Sequence, residues 1–123
     1  LVEKKPFEVW EGRQLRDFTY VDDAVRALLL AATSDEVNGQ VFNLGGDCVI
    51  SLKDLADLLI EVNEGGEYTV HSFPPDRKGI DIGDYYADFG HIRSVLKWRP
   101  EVPLREGLTR TLAFYRKYLE HYR

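Results

Sequence analysis

Arg16-Asp17-Phe18-Thr19-Tyr20-Val21-Asp22-Asp23 runs straight into Ala24-Val25-Arg26-Ala27-Leu28-Leu29-Leu30-Ala31-Ala32. Leu15 to Tyr20 carries aromatic and β-branched residues, which suit an extended piece. Asp22 can cap a helix that starts directly after it. Ala24, Val25, Leu28, Leu29 and Ala32 then recur at helical spacing, predicting a helix to about Ser34. Asn38-Gly39 stops it.

Upstream, Phe7-Glu8-Val9-Trp10 alternates after Pro6 and predicts a short strand that Gly12 breaks. Downstream, Val41-Phe42-Asn43-Leu44 predicts a strand with apolar residues on both faces, hence burial on both sides. Gly45-Gly46 ends it. Ser51 with Asp54 three residues later is close to a capping box. Leu52, Leu55, Ala56, Leu58, Leu59 and Val62 stripe the helix it opens, and Gly65-Gly66 ends that helix. Tyr68 to Phe73 alternates as another strand. Pro74 to Tyr85 is a loop. Asp88 can cap a short helix carrying Ile92, Val95 and Leu96, which Trp98-Arg99-Pro100 ends. Leu104, Leu108, Leu112, Tyr115 and Leu119 predict a last helix to the C-terminus. Strands alternating with helices argue for α/β, or for α+β with an incomplete sheet.

The chain has 123 residues, enough for one domain and a modest core. A net charge of −5 argues against a groove that tracks nucleic-acid phosphates. The apolar run Ala27 to Ala32 is far too short to span a bilayer. The single cysteine, Cys48, allows no internal disulfide and suits a reducing cytoplasm. There is no methionine, and the start is charged with no apolar run behind it, so the expectation is a piece of a longer protein without a signal peptide. His71, His91 and His121 match no metal spacing. The basic, aromatic tail reads as a packed helix face.

Arg16 and Arg77 lie far apart, each beside a predicted element. A guanidinium stays charged and presents a planar fork of donors, so two of them make a natural clamp for a diphosphate. Taken alone, Arg16 reads first as a salt-bridge partner of Asp17, Asp22 or Asp23, and Arg77 as a solvated loop charge. Asp22 and Asp23 read as capping and first-turn charges.

The stretch Arg16 to Asp23 with its helix resembles the start of the C-terminal half of extended short-chain dehydrogenases, the NAD-dependent epimerase/dehydratase family that includes UDP-glucose 4-epimerase. Val41-Phe42-Asn43-Leu44-Gly45-Gly46 and Ile50 to Leu55 resemble the family's next strand and helix start. The segment from Arg77 to Tyr85-Tyr86-Ala87-Asp88 resembles the family's second arginine loop. Leu96-Lys97-Trp98-Arg99-Pro100 and Leu104-Arg105-Glu106-Gly107-Leu108 complete the order. The loop departs from the commoner Arg-x-Gly-Asp, leaving open whether Asp81 or Asp84 takes the acidic position.

The resemblance implies the fold: the C-terminal substrate-binding part of an extended Rossmann-type protein, with small mixed strands and three to four helices over residues 1–123. It implies a nucleotide-diphosphate sugar as ligand, Arg16 and Arg77 on the diphosphate, and Asp81 or Asp84 on a ribose or sugar hydroxyl. It also implies NAD, held by an N-terminal part that is absent here. The family's Tyr-x-x-x-Lys pair does not occur, and neither does a G-x-G-x-x-G turn. No catalytic, cofactor-binding or metal residue is therefore assigned, and the chain by itself is expected to be inactive. Epimerase, dehydratase and another reductase of the superfamily all stay open, as does a non-catalytic interaction domain. The strand at Val41–Leu44, cut off from its sheet, predicts self-association.

Overall fold

The structure, a computed structural model, describes residues 1–3 and 5–122. Strand β1 (Phe7–Trp10) forms where sequence alternation places it. Gly12 closes the turn after it at φ +75°, and a Cβ there would meet Lys53 Cβ at 2.9 Å. Only glycine adopts that conformation without strain and leaves that space. The turn is pinned to the next layer, because Lys53 N–H donates to Gly12 O at 2.9 Å. Strand β2 (Leu15–Asp17) covers only the first half of the predicted extended piece. Helix α1 (Val21–Ala32) begins after Tyr20, and no side chain caps it. Asp22 therefore does not cap. It lies in the first turn, 3.7 Å from Arg110 on helix α4 (Leu104–Tyr118).

Val41 to Leu44 forms no strand. Phe42 and Leu44 pack against the core while Val41 is 84% exposed, so one face is buried rather than two. No neighbouring strand among the described residues lends it a ladder. Strand β3 (Val49–Ser51) instead pairs antiparallel with β2, setting Arg16 opposite Ile50. Helix α2 (Leu52–Val62) opens as predicted: Ser51 Oγ accepts from Asp54 N–H at 3.0 Å. Strand β4 (Tyr68–His71) lies parallel to β1, with Val9 opposite Val70.

The predicted loop from Pro74 to Tyr85 contains one 3-10 turn, Lys78–Ile80, and its end runs alongside β2. Tyr85 N–H donates to Leu15 O at 2.9 Å. That pairing brings the 81–85 segment beside Arg16. Helix α3 (Gly90–Leu96) comes next, and Asp88 Oδ1 accepts from Gly90 N–H at 2.7 Å. The last helix ends earlier than expected: α4 stops at Tyr118 and a 3-10 turn carries Leu119–Tyr122. Ala27, Ile92 and Trp98 form the buried cluster, with Leu30, Phe42, Leu44, Phe89 and Leu96 packed on it. No helix among the described residues is long and apolar enough to cross a membrane.

Candidate functional site

Two hydrogen-bonded crossings build a cleft between β1, β2, α2 and the 81–85 segment. One is the β2–β3 pair; the other is the Tyr85 bridge to Arg16. The cavity holds about 470 Å³ and is lined by Trp10, Gln14, Arg16, Phe73 and Asp81, with leucines of α2 as its floor. Trp10 and Phe73 meet edge to face at 5.7 Å. The wall is thus aromatic and aliphatic, with a few polar groups gathered at one side, as small-molecule sites commonly are.

Arg16 is held rather than free. Its Nη1 donates to Leu15 O at 2.7 Å and to Gly83 O. Its Nη2 lies 4.0 Å from Asp81 Oδ1. None of Asp17, Asp22 or Asp23 pairs with it, so the local salt bridge expected on sequence grounds is absent among the described residues. A guanidinium has five N–H donors, and only those on Nη1 are used here. The carbonyls fix the fork, and its other donors make no hydrogen bond among the described residues, with the Asp81 carboxylate facing Nη2.

Arg77 lies outside the cavity lining. Its guanidinium sits over the Trp10 ring, 5.1 Å from the centroid, as a cation on an aromatic face. Trp10 lines the cavity, so of the two arginines only Arg16 stands on its wall, and Arg77 rests on the indole beside it.

The two aspartates separate. Asp81 lines the cavity, accepts from Gln14 Nε2 at 3.2 Å and from Gly83 N–H at 3.3 Å, and faces Arg16. Asp84 accepts the Leu15 N–H at 2.8 Å, which ties the loop to β2.

Three residues outside the predicted set matter here. Trp10 and Gln14 line the cleft. The alternation around Trp10 signalled a strand, and nothing local marked either side chain as facing a cavity. Asp17 Oδ2 accepts from both Gly46 N–H and Ala87 N–H at 3.1 Å, joining β2 to two distant segments. A Cβ on Gly45 would collide with that same oxygen.

Asp23 has a structural role. It is 2% exposed and accepts from Glu101 N–H at 3.0 Å and Val102 N–H at 2.9 Å, with Arg26 at 3.0 Å. Burial pushes its carboxyl up, but the Val102 amide, Arg26 and the Glu101 amide outweigh that and leave it below the ordinary aspartate range. Its own backbone carbonyl accepts from Trp98 Nε1 at 2.9 Å.

The mixed α/β fold thus carries one arginine, Arg16, on the wall of a cleft lined by aromatic and aliphatic side chains. The family described as NAD dependent epimerase/dehydratase matches residues 1–45. The dTDP-glucose 4,6-dehydratase of Streptomyces griseus is 35% identical over 108 residues, covering 88% of this chain and 32% of that protein. The UDP-glucose 4-epimerase of Thermotoga maritima, solved with UDP-glucose, superposes with a TM-score of 0.79 at 34% identity, over 96% of this chain and 37% of that one. MoeE5, solved with UDP-glucose and NAD, gives a TM-score of 0.82 at 32% identity, over 95% and 38%. The chain belongs to the NAD-dependent epimerase/dehydratase family. It spans about a third of the length of the curated relatives it matches.

Proposed function

We propose that this chain is the C-terminal substrate-binding part of an NAD-dependent nucleotide-sugar epimerase or dehydratase, and that it grips the nucleotide diphosphate. The observation that carries this is Arg16, fixed by two carbonyls in an aromatic-lined cleft with most of its donors open, beside an indole that also carries Arg77. A diphosphate matches such a fork in charge and shape. Binding energy spent on this remote group would orient the sugar for chemistry elsewhere. Asp81, rather than Asp84, is the acid placed to meet a ligand hydroxyl.

NAD belongs to this reading only through another part of a longer protein. The described residues do not fit it: no strand leads through a G-x-G-x-x-G turn into a helix. The chain alone should turn over no sugar. A measurable epimerase or dehydratase rate from the purified chain would defeat that part. A cytoplasmic setting goes with this reading, since the lone Cys48 is exposed and unbridged.

Val21, Val25, Leu28 and Leu29 share one exposed face of α1. Exposed apolar patches mark interaction surfaces. In a longer protein the NAD-binding part would cover this face; in the isolated chain, a second copy would. Light scattering that shows a monomer at high concentration would count against the second copy.

Calorimetric titration with UDP tests the central reading. Saturable binding, matched by inorganic pyrophosphate at lower affinity, is the expected result. No heat with either ligand would sink it and favour a non-catalytic interaction domain.

A further inference from the structure

Asp17 follows Arg16 on β2, and neighbouring side chains of a strand leave it on opposite faces. Arg16 lines the cavity and Asp17 does not. On the far face, Asp17 gathers two distant stretches of chain onto one oxygen. Its Oδ2 accepts from Gly46 N–H and from Ala87 N–H, both at 3.1 Å. The fit is close. Gly45 is buried, and a Cβ there would run into Asp17 Oδ2 and come within 3.0 Å of Ala87 Cβ.

Ala87 ends the segment that carries Asp81 and walls the cleft. Upstream in that segment, Gly83 O accepts from Arg16 Nη1. Adjacent residues of β2 therefore grip one segment at two points, Gly83 from the cleft side and Ala87 from the other. A guanidinium steered by a loop carbonyl is only as steady as the loop. Exposed loops open locally at little cost unless hydrogen bonds hold both ends. Resting on the nucleotide-diphosphate reading above, we propose that Asp17 is a positioning residue. It touches no ligand, and it sets the aim of Arg16 by pinning the 83–87 segment and the Gly45–Gly46 stretch to β2.

Calorimetry with UDP and inorganic pyrophosphate, joined to amide hydrogen exchange, tests this on the wild-type chain, Asp17→Ala, Asp17→Asn and Gly45→Ala. Asp17→Ala and Gly45→Ala should each weaken binding by about tenfold, the size of one well-placed hydrogen bond, and speed exchange at Tyr85 N–H. Asp17→Asn should stay near wild type in both, because its amide oxygen can accept the same two N–H groups. Combining Asp17→Ala with Gly45→Ala should lose little more than either alone, since both act through one carboxylate. Asp23→Ala separates positioning from stability: it should be less stable and bind as wild type does. If Asp17→Ala fails to fold, the wild type decides, because coupling is reciprocal. Ligand should then slow exchange at Gly46 and Ala87 N–H several-fold more than at Glu101 and Val102 N–H, which Asp23 holds. Equal slowing at the two places overturns the Asp17 assignment and leaves the arginine clamp standing. So does a folded Asp17→Ala chain that binds as wild type, or an Asp23→Ala chain that weakens as much. A wild type that binds neither pyrophosphate nor UDP overturns both.

Discussion

Asp23 and Asp81 each face an arginine, at 3.0 Å from Arg26 and 4.0 Å from Arg16, and they do opposite work. Asp23 is sealed between α1 and the Glu101–Val102 segment, with two backbone amides and a guanidinium filling its oxygens. Asp81 stands at a cleft mouth, partly exposed, beside an arginine with donors to spare. A buried charge whose partners are all internal joins elements. A half-buried charge with unfilled partners is arranged for something that arrives. The first kind should show its loss in stability, the second in affinity.

The largest expected effect is at the joint. Trp98 is fully buried and its Nε1 donates to Asp23 O. Trp98→Ala should cost about 4 kcal/mol, as aromatic-to-alanine changes in cores do, read as a lower urea midpoint. Asp23→Ala should cost about 3 kcal/mol, since it strands two backbone amides. If either variant loses ligand affinity while keeping wild-type stability, the division between the two regions fails.

Arg16→Ala should do the reverse. UDP and pyrophosphate affinity should fall by roughly tenfold to a hundredfold, the loss of a charged hydrogen bond, with little change in unfolding midpoint. A stability loss as large as that of Asp23→Ala would make Arg16 a joint too. Ser51→Ala removes the cap of α2 and should cost about 1 kcal/mol with no effect on binding.

Acid should sharpen the same contrast by the smallest margin. The folded Asp23 carboxyl sits below its ordinary value, and the unfolded one titrates near about 3.9. Between the two values the unfolded chain binds more protons. The stabilisation is complete above the unfolded value and is lost as pH falls through the folded one. Asp23→Asn should flatten the acid arm of a stability-against-pH curve followed by circular dichroism. An unchanged arm would mean that other carboxylates set it.

Much of the fold was legible because it is local. The alternation of Phe7 to Trp10, the Ser51 cap and the apolar stripe of α2 each act over a few residues, and each forms where expected. Val41 to Leu44 misled because a strand needs a partner. Its composition suits a ladder that no described segment supplies, so only Phe42 and Leu44 turn inward. Asp22 and Asp23 looked alike as first-turn acids. The Glu101–Val102 amides and Arg110 separate them, and both arrive from far along the chain.

The candidate site divides the same way. Residue chemistry alone says that a guanidinium suits a phosphate, since charge and fork geometry belong to the side chain whatever surrounds it; the family resemblance singled out Arg16 and Arg77. Only the folded backbone decided that Asp81 meets the cleft while Asp84 ties down β2, that Arg77 rests on Trp10 rather than in the cleft, and that Gln14 Oε1 has no hydrogen-bond partner among the described residues. Those facts stem from the Tyr85–Leu15 hydrogen bond and the β2–β3 register, which bring together residues distant in sequence. Spacing along a chain carries no record of such meetings, because the loop between them can close in many ways until long-range pairing selects one.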